Sequence, residues 1–194
     1  MSMLIYLLDW SSSHLDEFQG TKKVFLSSQR FPLHSRPPDW LSPPVGLLKQ
    51  KSNVAVRAGC NEIGLGVAIR DASDRVVAAI SKFVVGNVIA ELGELLALRE
   101  GLLLAKSFNP IIWVVEVDAS NVASMLNSDV PSLSDTFFLI NDIKALCKVV
   151  GDCRCQAISR LGNSLVHQLA AWPFPLLRDK CGRMLISFVS FICL

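Results

Sequence analysis

The run Ile111-Ile112-Trp113-Val114-Val115-Glu116-Val117-Asp118 decides how this chain folds. It is almost continuously apolar, as a strand buried on both faces should be, and it closes on an aspartate. Such a strand sits inside a sheet that carries helices above and below. Upstream, residues 88–107 read as a long helix without proline, stopped by Asn109-Pro110. Before that helix, Ile63–Arg70 and Arg75–Val85 read as two strands joined by the turn Asp71-Ala72-Ser73-Asp74, hence a hairpin. In the first of them Gly64 and Gly66 fall on one face, and Leu65, Val67 and Ile69 on the other.

Downstream, Asp118–Asn127 and Leu133–Val149 read as helices, Cys153–Ser159 as a strand and Asn163–Trp172 as a last helix. Lys49–Val56 takes the place of a first strand from context alone, because Lys49-Gln50-Lys51-Ser52-Asn53 is a polar run unsuited to the middle of a sheet. Antiparallel strands followed by strand-helix alternation predict an α/β fold with a mixed sheet. The segment Ile111–Val117 is expected inside it, parallel to the first strand.

The chain has 194 residues, enough for one domain with irregular ends. Residues 1–45 are broken by serines and by prolines at 32, 37, 38, 43 and 44, and read as an irregular tail and linker. Residues 46–172 form the expected domain, and residues 173–194 an apolar tail of no assigned role. The longest apolar run, Ile186–Leu194, is too short to span a bilayer, and Met3–Leu8 lacks the basic start of a signal peptide. These features lead us to expect no membrane partner and an intracellular monomer, with nucleus and cytoplasm undistinguished. A net charge of +2 does not by itself point to nucleic acid. Of six cysteines only Cys153 and Cys155 are close, at a spacing wrong for zinc knuckles, so reduced thiols are expected.

The carboxylates carry the chemical signal. Ala90, Glu94, Ala97, Gly101 and Ala105 form one stripe of small residues along the long helix, which lets it approach the sheet closely. A glutamate within that stripe is either a carboxylate at the rim of the contact or a metal ligand, since an unpaired buried carboxylate is costly. Asp118 stands at the C-terminal end of a strand, where open α/β sheets place their ligands, yet aspartate before a helix is also a favoured cap. Two carboxylates so placed could share hard cations such as magnesium. Two ions roughly 4 Å apart can activate water and steady the leaving oxygen of a phosphodiester, but two carboxylates are few to hold such a pair. His167 lies in the last helix facing away from Leu165 and Leu169, while His14 and His34 lie in the irregular tail.

Residues 40–172 resemble the ribonuclease H type-1 domains of plant reverse-transcriptase-like proteins, which are similar to the terminal domain of retrotransposons lacking long terminal repeats. The resemblance rests on Trp40 with Pro43-Pro44, Gly46 and Leu48-Lys49, on Gly64–Asp71, Ala90–Leu102 and Val115–Ser120, and on Ile158-Ser159-Arg160, Asn163 and His167-Gln168-Leu169-Ala170. It implies a five-stranded mixed sheet flanked by helices, and hydrolysis of the RNA strand of RNA–DNA hybrids with Mg2+ or Mn2+. Of the four acidic positions it implies, the first falls on Asn53, the second on Glu94, the third on Asp118 and the fourth on His167. No aspartate occurs from Leu41 to Arg70, so a small slip of register does not restore the first. The metal ligands implied are Glu94 and Asp118, with any ion bound weakly. His167 could still take part in proton transfer or product release. Three functions are then open: an active or weakly active hybrid nuclease, a module that binds an RNA–DNA hybrid or RNA-containing duplex without chemistry, or an expressed retrotransposon remnant without activity.

Overall fold

The computed structural model describes residues 42–57, 59, 61–128 and 136–171, together with the backbone of 188–192. The expectations for residues 1–41 and 172–187, and for Cys60, Cys181 and Cys193, lie outside the described residues. The strands are β1 (Leu48–Val56), β2 (Glu62–Arg70), β3 (Val76–Val85), β4 (Ile112–Val117), β5 (Arg154–Ala157) and β6 (Phe188–Ile192). Among the described residues the helices are α1 (Ala90–Phe108), α2 (Ser120–Asn127), α3 (Phe137–Val150) and α4 (Ser164–Ala171), with a 3-10 turn, Arg160–Asn163, leading into α4.

The strand order is β5-β4-β1-β2-β3-β6. β1 is antiparallel to β2 and parallel to β4, and β5 is parallel to β4. This is the mixed α/β sheet expected, with five strands from β1 to β5. The backbone of β6 adds a sixth, antiparallel to β3, within the segment the sequence left as an unassigned tail.

The polar run in β1 is central after all. Lys49, Gln50, Lys51, Ser52 and Asn53 are each at most 4% exposed. Side chains alternate across a strand, and each face supplies partners. On the α1 face, Gln50 Nε2 donates to the Leu98 carbonyl at 2.9 Å. On the other face, Glu116 of β4 takes Lys49 Nζ at 2.8 Å and Lys51 Nζ at 3.1 Å. β4 is therefore not apolar throughout: its one carboxylate is buried between two lysines.

α1 and α3 cover one face with the main core, built around Leu95, Leu98, Leu102, Val115, Val117, Ile140 and Ile143. The small-residue stripe lets α1 sit close, although Ala90 at its start is exposed. A Cβ at Gly101 would lie 2.5 Å from Gln50 Nε2, and one at Gly93 would lie 2.7 Å from Val54 Cγ2. α1 ends at Asn109, whose left-handed backbone (φ 54°) sends its N–H back to the Ala105 carbonyl.

α4 covers the other face through Val166, Leu169 and Ala170, with Leu165 half-buried against the same cluster, so the packed side expected from Leu165 and Leu169 is observed and extends to Val166 and Ala170. It sits directly on β2, where a Cβ at Gly66 would come within 2.1 Å of the Val166 carbonyl oxygen. The glycine face of β2 is thus the seat of a helix. Ser81 Oγ completes the contact by donating to the Leu169 carbonyl at 2.8 Å. Among the described residues, no helix is long and apolar enough to cross a membrane.

Candidate functional site

The site arises where β1 and β4 part. Their last paired residues are Lys51 and Glu116. Two residues beyond that pair stand Asn53, still within β1, and Asp118, just past the C-terminal end of β4. An open α/β sheet places its ligand crevice there. Beyond the last pair, the Val54 N–H faces the gap and donates to Glu94 Oε1 at 3.1 Å. Glu94 therefore reaches the same opening from α1.

His167 enters from α4. Asn53 Nδ2 lies 2.9 Å from His167 Nδ1, so the amide donates and the imidazole accepts. Asn53 is buried while His167 is exposed. The residues proposed from sequence, Asn53, Glu94, Asp118 and His167, thus come together at one end of the sheet.

Asp118 is not the cap of α2. Ala119 occupies that position and makes no side-chain bond, so the cap reading loses its basis. The Asp118 carboxylate faces Arg160 instead, with Nε 3.8 Å from Oδ2. Glu94 is only 5% exposed, and among the described residues its Oε2 has no hydrogen-bond partner. Burial, then the nearby Asp118 charge, pushes the Glu94 acid up to about 8, while the Val54 N–H and Arg160 oppose the rise.

The other carboxylates of α1 have other partners. Glu100 pairs with Lys82 at 2.6 Å and Glu91 accepts from Asn121 Nδ2 at 2.6 Å. Cys147, Cys153 and Cys155 are free thiols, as expected for the described cysteines.

Sequence reasoning missed the support beneath the site. Lys51 Nζ donates to the Gly162 carbonyl at 2.6 Å, and the buried Asn163 donates through Nδ2 to the Ser52 carbonyl at 2.9 Å. These bonds fasten the turn Arg160–Asn163 to β1 and carry Arg160 to the mouth of the cleft. Burial holds the Lys51 ammonium below its ordinary range, partly offset by Glu116.

The donor set does not suit a pair of divalent cations. A pair needs negative charge to offset mutual repulsion and lost water. Here Glu94 spends one oxygen on a backbone amide, and Asn53 turns an amide nitrogen towards His167. Among the described residues no group of three acidic, histidine or cysteine side chains could hold a metal ion.

Residues 51–173 match the reverse transcriptase-like family. The chain belongs to that family. Comparison with curated proteins returned no match. Among solved structures, ribonuclease H1 from the halophilic archaeon Halobacterium salinarum is 17% identical with a TM-score of 0.59, over 65% of this chain and 96% of that one. LC11-RNase H1, isolated from compost, is 16% identical with a TM-score of 0.58, over 66% and 94% respectively. In complex with an RNA/DNA hybrid the compost protein aligns at 20% identity with a TM-score of 0.53, over 64% and 94%. At these identities the likeness is one of fold, and the fold of this reverse transcriptase-like domain is that of ribonuclease H.

Proposed function

We propose that this reverse transcriptase-like domain binds RNA–DNA hybrid or RNA-containing duplex across the cleft at the ends of β1 and β4, and hydrolyses it very weakly or not at all. One observation carries the reading: the amide of Asn53, bonded to His167 where the resemblance implies the first of four carboxylates. The cleft keeps its shape while losing a charge that the chemistry needs. The resemblance implies that Mg2+ or Mn2+ serves the family reaction, and among the described residues Glu94 and Asp118 are the carboxylates offered to such an ion, so occupancy is weak.

Binding does not need those ions to the same degree. A-form duplexes are recognised largely by shape and by 2′-hydroxyl and phosphate contacts. The compost ribonuclease H1 bound to a hybrid shows that this fold accommodates one, which supports the same role for the present cleft.

The test is fluorescence anisotropy with a labelled RNA–DNA hybrid, a double-stranded RNA and a DNA duplex of the same sequence, with products analysed after incubation in magnesium and in manganese. The expected result is binding of the RNA-containing duplexes over the DNA duplex with little or no product. Equal affinity for all three duplexes would overturn the binding half of the proposal, and rapid product formation the other half.

A further inference from the structure

Arg160 is placed to do in this cleft part of what a cation would do. Its side chain is 93% exposed, yet its Nε stands 3.8 Å from the Asp118 carboxylate, and its charge also acts on Glu94. At that separation the guanidinium is attracted without being hydrogen-bonded to Asp118, and among the described residues its N–H fork stays open to another acceptor. The backbone that carries it is firmly held. Lys51 Nζ grips the Gly162 carbonyl, Asn163 Nδ2 grips the Ser52 carbonyl, and the Gly162 N–H closes on the Ser159 carbonyl at 3.0 Å.

A freely exposed arginine on a turn pinned to the central strand is an unusual expense of buried polar groups unless the arginine meets something. The charges of the cleft say what that is. Asp118 repels the phosphates of any duplex that enters, and with Asn53 in place of an acid the cleft has little to hold the ions that would cancel the repulsion. Arginine matches a phosphate with two parallel N–H bonds, and it needs no metal to do so.

We propose that Arg160 is a phosphate-binding residue of this cleft. It takes a backbone phosphate of the RNA-containing duplex in the absence of divalent cations, and Lys51 and Asn163 position it by fixing the turn. This inference rests on the hybrid-binding reading above and names the residue that makes such binding independent of metal.

The experiment is anisotropy with the full chain and a labelled RNA–DNA hybrid in EDTA across a series of salt concentrations, repeated in magnesium. The unmodified chain is expected to bind in EDTA with a clear salt dependence. Arg160→Ala should weaken binding and lower the slope of log affinity against log salt by about one, as loss of a single phosphate contact does. Leu161→Ala alters the same turn without altering charge and should leave the slope unchanged. Melting temperatures of both variants should match the unmodified chain, because both side chains are at least 85% exposed. An unchanged slope in Arg160→Ala overturns the inference and leaves hybrid binding standing. Binding that appears in magnesium alone overturns it in the same way. Absence of binding under either condition overturns both readings.

Discussion

Asn53 brings an amide to a place where the resemblance implies a carboxylate, and the amide is bonded to His167. The Asn53 amide donates through Nδ2 to His167 Nδ1, whereas an ionised acid at that position could only accept and would need a protonated Nδ1 opposite it. Glu94 has a corresponding consequence for stability. Its folded acid titrates near 8 against an ordinary 4.5, so the folded state holds a proton that the unfolded chain releases. Its contribution to stability is therefore full below about 4.5, falls as pH rises towards about 8, and is flat above that. Glu94→Gln mimics the protonated acid and should remove this loss. The melting-temperature advantage of the variant over the unmodified chain should widen across the same interval, and a constant difference would contradict the account. Glu116 is buried between Lys49 and Lys51. Glu116→Ala leaves two buried ammonium groups without their carboxylate and should cost about 3–5 kcal/mol in urea unfolding.

Some elements were legible in the sequence and some were not, for reasons that differ in kind. The glycine face of β2 was visible as alternation, and it proves to seat α4. Gly66→Ala should cost at least about 2 kcal/mol in denaturant unfolding, because its methyl group would meet backbone atoms at 2.1 and 2.5 Å that cannot rotate away. The same substitution at Gly59, where a Cβ meets nothing within 4 Å, has only its positive φ to pay for. β1 was the element least legible, since period and propensity both count lysine and glutamine against a central strand. Their partners lie about fifty to over a hundred residues away: Leu98 for Gln50, Glu116 for Lys49 and Lys51, and Gly162 for Lys51. The usable signal was the pairing of Lys49 and Lys51, two apart and so on one face, with a single glutamate in an otherwise apolar strand. Asp118 was ambiguous between cap and ligand because the two roles share one local pattern. The start of α2 at Ser120 separates them, and no local feature of the sequence fixes that start.

Across the whole molecule, strand order places the site: β1 lies between a parallel and an antiparallel neighbour, and the cleft opens where the parallel pair ends. The sixth strand bears on stability and not on the site, since it pairs with β3 at Ala78–Lys82, away from β4. Deleting residues 188–194 should free the hydrogen-bonding groups of that edge and promote self-association, read as an increase in light scattering on concentration, with cleft properties unaltered. The central claim is that a ribonuclease H cleft has kept its form and lost its chemistry at one residue. It is tested most directly by cleavage of a labelled RNA–DNA hybrid in magnesium and in manganese by the unmodified chain beside Asn53→Asp. The predicted result is little or no product from the unmodified chain and a gain of at least about tenfold from the variant, given what losing even a supporting metal contact costs, with metal-free hybrid affinity nearly unchanged. Robust magnesium-dependent cleavage by the unmodified chain would contradict it.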